Sequence, residues 1–160
     1  MSRYKPNDRV ADRFVIQGWL ASGGMAEIYV AEMALARGMK RRVALKRIHS
    51  NFAADPEFVA MFLAEARLSS ELVHPGIVPV LDVVEAEGEL VIVLDYVPGW
   101  DLASILGKAR GDRRFPAAAA VHLGRALSEV LAYVHSVTDA AGRPRGLVHR
   151  DVNPSNVLIA

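Results

Sequence analysis

The chain has 160 residues, 52% of them apolar, which fits a soluble protein with one buried core. Nineteen Lys and Arg stand against 18 Asp and Glu, so no basic field points to nucleic acid or a membrane surface, and a partner has to be inferred from a site. The absence of cysteine excludes a disulfide framework and thiol-ligated zinc and suits a reducing cytoplasm, the expected location.

The start, MSRYKPNDRVADRF, is polar and has no signal-peptide core, and no later apolar run is long enough to span a bilayer. Residues 1–11 therefore form a polar lead. Phe14, Ile16 and Leu20 then suit a half-buried strand, followed by the turn Ser22-Gly23-Gly24-Met25. Ile28, Tyr29 and Val30 form a returning strand, and after the connection from Arg37 to Arg42 a third runs from Val43 to Ile48. Asp55-Pro56 predicts a helix start, because the carboxylate caps free amides and the fixed φ of proline suits the first helical position. This helix should reach about Leu72, since Pro75 disfavours helical backbone at His74. Ile77 to Val84 and Leu90 to Leu94 are two further strands, joined by a turn over Glu85 to Glu89. Tyr96 to Trp100 breaks the pattern as a linker. Asp101 is placed to cap a short helix ending near Gly107, Pro116 opens a longer one to about Ser136, and Thr138 to Gly146 is a loop.

Four features carry chemistry. The Gly23-Gly24 turn lets backbone amides approach phosphates with no side chain between, although such turns also serve as ordinary hairpins. In Val43-Ala44-Leu45-Lys46 the two-residue period puts Ala44 and Lys46 on one face of a strand, where Lys46 is either a phosphate ligand or a surface lysine. On the following helix Glu65 shares a stripe with Phe58, Phe62, Ala66 and Ser69, which aims its carboxylate at the sheet rather than at water. The run HRDVNPSNVLI, from His149 to Ile159, has an aspartate able to accept a hydroxyl proton and an asparagine five residues later able to hold magnesium. Its plain alternative is a polar turn before a strand.

In this order, the lysine strand, the glutamate helix and HRDVNPSNVLI resemble the signature of the eukaryotic-like, bacterial-type serine/threonine protein kinases, and GGMAEIY resembles the GGMGEVY form common among them. The resemblance covers nearly all of residues 12–160 and runs out at Ala160, ahead of the place where the family carries its metal-binding DFG aspartate. It implies an α+β fold: an N-terminal lobe over residues 12–95 with a five-stranded antiparallel sheet and one main helix, a hinge at 96–100, and the opening of a mainly helical C-terminal lobe over 101–160.

The function implied is transfer of the ATP γ-phosphoryl to a protein Ser or Thr hydroxyl, with magnesium or, in its place, manganese. The alternative is a non-catalytic, pseudokinase-like nucleotide-binding or regulatory module. By the resemblance, Asp151 orients and deprotonates the hydroxyl, Asn156 binds the metal, His149 braces the loop and Arg150 meets a phosphorylated activation loop. Lys46, held by Glu65, reaches the α- and β-phosphates. The phosphate turn comprises Ala21, Ser22, Gly23 and Gly24, Ile28 and Ala44 line the adenine, Leu94 is the gatekeeper, Asp95 to Val97 bond the adenine edge, and Asp101 reaches the ribose or caps its helix.

Two departures bear on rate. Alanine occupies the first and third glycine positions of the phosphate turn, at Ala21 and Ala26. Asn153 stands where such kinases usually carry lysine, and an amide donates hydrogen bonds but cannot neutralise charge building on the phosphoryl group.

Overall fold

The computed structural model describes residues 4–109 and 115–160, which divide into two compact units. The first runs to Val73 and includes Val78–Tyr96. Its strands are β1 (Arg9–Val10), β2 (Phe14–Ser22), β3 (Ala26–Ala34) and β4 (Lys40–Ile48). Helices α1 (Ser50–Ala53) and α2 (Pro56–Ser70) follow, then β5 (Val80–Ala86) and β6 (Glu89–Asp95). All pair antiparallel in the order β1-β2-β3-β4-β6-β5, which places the lysine strand β4 between β3 and β6.

The five expected strands are β2 to β6. The sixth, β1, lies in the stretch read as a polar lead, where Tyr4 and Val10 are buried against the sheet. A two-residue strand is too short to leave a periodic signal. Strand β4 begins at Lys40 rather than Val43, because Lys40 and Arg41 extend the ladder with their charges satisfied by Glu32 and Asp95, at 2.5 and 2.9 Å. Strand β5 begins at Val80 rather than Ile77; Pro79, immediately before it, has no N–H to give a ladder.

Alternation along β4 divides the core. Val43 and Leu45 join Phe14, Ile16, Tyr29, Ala31, Val91 and Val93 in one cluster. Ile48 belongs to a second, with Ala26, Ile92 and the α2 residues Phe62 and Ala66. Each fully buried side chain of this size contributes roughly 1.5–3 kcal/mol. Helix α2 starts as expected, with the Asp55 carboxylate accepting the Glu57 amide at 2.9 Å and proline in the first turn.

The second unit comprises His74–Ile77 and Val97–Ala160. It contains β7 (Trp100–Asp101), α3 (Leu102–Lys108), α4 (Ala117–Ser136), a 3-10 turn at Pro154–Asn156 and β8 (Leu158–Ile159). Trp100, expected in a linker, is instead a strand residue: β7 pairs antiparallel with β8, Trp100 opposite Ile159 and Asp101 opposite Leu158. Local pattern could not show a pairing between segments nearly sixty residues apart. Gly99 permits it, since a Cβ there would lie 1.9 Å from the Ile159 carbonyl oxygen. Helix α4 has the expected bounds but Val134 is the one residue on it that is buried, and Val121 near its start is 74% exposed. Among the described residues no helix is long and apolar enough to cross a membrane.

Candidate functional site

In the first unit the pieces converge on β4. Lys46 sits opposite Ile28 on β3 and Ile92 on β6, and Ala44 opposite Val30 and Leu94. Directly opposed residues share a sheet face, so Ala44, Lys46, Ile28 and Leu94 lie on the side where α2 packs. From that helix Glu65 Oε1 accepts from Lys46 Nζ at 2.6 Å, and the ammonium lies 5.8 Å from the Phe62 ring centroid. Glu65 does reach the sheet, but its side chain is 57% exposed against 24% for Lys46, so it does not turn away from water as the stripe suggests. It stands at the rim of the stripe whose buried centre is Phe62 and Ala66.

The glycine turn joins β2 to β3. Ala21 pairs with Ile28, Ser22 with Glu27, and the Gly23 amide donates to the Ala26 carbonyl at 2.8 Å. Ala21, Ser22, Gly23 and Gly24 are all exposed. At the far end of β6 the Asp95 amide donates to Pro79 O at 3.0 Å and its carboxylate pairs with Arg41. Asp95 therefore has both its amide and its side chain engaged within the sheet.

In the second unit Val97 is half-buried, and Asp101 caps α3. Its Oδ1 accepts the Ser104 amide at 2.8 Å and its Oδ2 the Ser104 hydroxyl at 2.5 Å. These bonds stabilise the ionised form and hold the carboxyl below its ordinary value. Of the two roles open to Asp101, the cap is the one already occupied.

The HRDVNPSNVLI loop forms a compact polar knot. Asp151 Oδ1 accepts from Asn153 Nδ2 at 2.7 Å and Oδ2 from Asn156 Nδ2 at 2.8 Å. Asn156 Nδ2 also reaches the Asp151 carbonyl at 3.0 Å, and the Asp151 amide donates to His149 Nδ1 at 3.3 Å. Asn153 Oδ1 accepts the Ser155 amide at 2.9 Å and so caps the 3-10 turn. Arg150 takes a left-handed conformation, φ 63°, a cost of order 1 kcal/mol that the knot on either side of it sustains. Two amides thus aim one exposed carboxylate. The Asn156 amide nitrogen is committed to Asp151, which leaves its Oδ1 as an oxygen donor; oxygen donors in small number suit magnesium, which keeps most of its shell for water and phosphate.

Two features near these residues carried no motif signal. Arg47, next to Lys46 but on the opposite face, is buried with its side chain 3% exposed. Its Nη1 lies 3.1 Å from Glu27 Oε2 and its Nη2 2.6 Å from Glu89 Oε2, and the Tyr29 hydroxyl donates to Glu27 at 2.6 Å. His49, just past β4, reaches back to the glycine turn.

A profile of the protein kinase domain matches residues 14–160. The chain is 37% identical over 147 residues to "Tyrosine-protein kinase MasK" of Myxococcus xanthus, covering 91% of this chain and 23% of that protein. It is 38% identical over 147 residues to "Serine/threonine-protein kinase PknF" of Mycobacterium tuberculosis, covering 92% and 28%. The crystal structure of the Mycobacterium tuberculosis PknI kinase domain superimposes with a TM-score of 0.74 at 31% identity, covering 97% of this chain and 57% of that one. The chain thus spans about a quarter of the length of these curated relatives.

Proposed function

The chain belongs to the protein kinase family, and we propose that it forms part of an ATP-dependent serine/threonine kinase domain in which Lys46 and Glu65 hold the phosphates and Asp151 receives the hydroxyl proton. The Lys46–Glu65 pair carries this reading. Three turns into α2, a glutamate from the face packed on the sheet meets a lysine on the one strand that also presents the small Ala44. An ammonium so restrained pays little further entropy when a polyphosphate arrives.

Asp151 is held by Asn153 and Asn156 with its carboxylate exposed, as a group that must meet a protein hydroxyl has to be. Magnesium bound through Asn156 Oδ1 would offset phosphate charge. The exposed Ser22-Gly23-Gly24 turn would cover the phosphates, and Ile28 and Ala44, with the backbone from Asp95 to Val97, would receive the adenine. The relatives' names include both a tyrosine and serine/threonine kinases, so the acceptor hydroxyl belongs to the proposal.

Alanine at positions 21 and 26 and Asn153 in place of lysine favour a second reading, a module that binds nucleotide without turnover. Titration with magnesium and ATP, followed by transfer of a labelled γ-phosphoryl to a mixed protein substrate, separates the two. Binding lost in Lys46→Met and transfer lost in Asp151→Asn support the kinase. Transfer that depends on Asp151 overturns the module, binding without transfer supports it only in a chain that also carries the DFG aspartate, since this chain by itself is expected to be inactive or nearly so, and absence of binding overturns both. Phosphoamino-acid analysis of the product assigns the hydroxyl.

A further inference from the structure

We infer that His49 is a positioning residue for the phosphate-covering turn, fixing the Gly23–Gly24 peptide so that the Gly24 amide is presented to an anion. His49 Nε2 lies 2.9 Å from the Gly23 carbonyl oxygen and 3.5 Å from Ser22 Oγ. A carbonyl oxygen only accepts, so Nε2 carries the hydrogen. The ring is brought there by its own backbone: the His49 amide donates to Met25 O at 2.9 Å, at the point where β4 leaves the sheet. One residue thus holds the turn by two bonds, one on each side of Gly24.

The consequence follows from peptide geometry. In a planar trans peptide the C=O and the next N–H point in opposite directions, so a Gly23 carbonyl pinned on the imidazole turns the Gly24 N–H away from His49. That amide donates to none of the described residues, and a Cβ built on Gly24 meets nothing within 4 Å, so the approach to it is open. A backbone donor fixed in direction, with no side chain in front of it, is suited to an oxyanion such as a phosphate oxygen. The tether also answers a conformational problem. Two adjacent glycines leave the turn tip free to wander, and that freedom would have to be given up on binding. The alanines at 21 and 26 lie in the strands, outside the tip, and do not restrain it.

The choice of nucleotide phosphate as the anion rests on the proposed kinase function; the tether itself does not. Two measurements keep them apart. In the nucleotide-free protein, hydrogen exchange of the Gly23 amide, which donates to the Ala26 carbonyl across the turn, should quicken about two- to tenfold in His49→Ala, the range expected for one lost hydrogen bond, and return towards the wild-type rate in His49→Gln, whose amide can donate to the same carbonyl. Unchanged exchange in His49→Ala overturns the tether whatever the protein binds. In the second, titration with magnesium and ATP should give a dissociation constant weakened by a similar factor in His49→Ala and recovered in His49→Gln, with the thermal midpoint unmoved. Wild-type protein that binds no ATP overturns the assignment of the anion and, with it, the kinase reading, while the exchange result still decides the tether.

Discussion

Asn153 donates its side-chain amide to Oδ1 of Asp151 at 2.7 Å while its own Oδ1 accepts the Ser155 amide at 2.9 Å, so one side chain both aims the carboxylate and caps the turn that follows. Asn153→Ala removes both bonds, and loss of a cap costs about 1 kcal/mol. The Ser155 amide should then exchange roughly fivefold faster, and Asp151-dependent transfer should fall. Asn153→Asp keeps the cap but sets a second carboxylate against Asp151, so it should restore slow exchange at Ser155 without restoring transfer. Restored transfer in Asn153→Asp would show that the amide hydrogen on Asp151 is dispensable.

Lys46 and Arg47 are neighbours on β4 with opposite surroundings, and their substitutions should differ accordingly. The Lys46–Glu65 pair is partly solvated, so Lys46→Met should change stability by about 1 kcal/mol or less while abolishing nucleotide binding. Arg47→Met removes the buried cation between Glu27 and Glu89 and should cost about 3–5 kcal/mol, read as a lower urea midpoint. Comparable losses in the two variants would contradict this division between a site lysine and a structural arginine.

Asp101 gives a pH dependence of defined sign. Its carboxyl is held below the ordinary value of 3.8 by the Ser104 hydroxyl and amide, so the native state favours the ionised form more than the unfolded chain does. Its contribution is complete above 3.8 and fades as pH falls through the lower native value. Backbone chemical shifts of residues 102–105 should show the first turn of α3 loosening only in that acid range. Asp101→Asn, which still caps, should remove this pH response and keep the helix at neutral pH. A loosening of the turn between pH 5 and 7 would rule out Asp101 as its cause.

Gly99→Ala tests the pairing of β7 with β8. A Cβ 1.9 Å from the Ile159 carbonyl oxygen, a backbone atom, cannot be accommodated by a rotamer change. The variant should lose protection at the Leu102 amide, which donates to Val157 O at 2.8 Å, while exchange in β2 to β6 stays unchanged. Retained protection at Leu102 would place the strand pair elsewhere.

The motifs legible in the chain are those whose chemistry needs fixed residue types at fixed offsets. Ala44 and Lys46 share a face because strand period is two, and Asp151, Asn153 and Asn156 converge because five residues of loop suffice to bring them together. Helix α2 was readable from Asp55-Pro56 and its apolar spacing. The short strands β1 and β7 were not, because two residues show no period and their partners are remote or only just local, whereas the apolar strand after the Asp151 turn was expected and is β8. Nor was the solvation of Glu65, which depends on how far round α2 the sheet extends.

The order of the main elements, the lysine face of β4 and the residues of the Asp151 loop were set by covalent neighbours and by backbone periodicity, and the family was legible as a resemblance carried by those motifs. Tertiary structure alone decided that Arg47 is a buried structural cation and that His49 holds the glycine turn. Those outcomes depend on which distant groups occupy the few ångströms around a side chain, and hydrogen bonding and desolvation act only at that range.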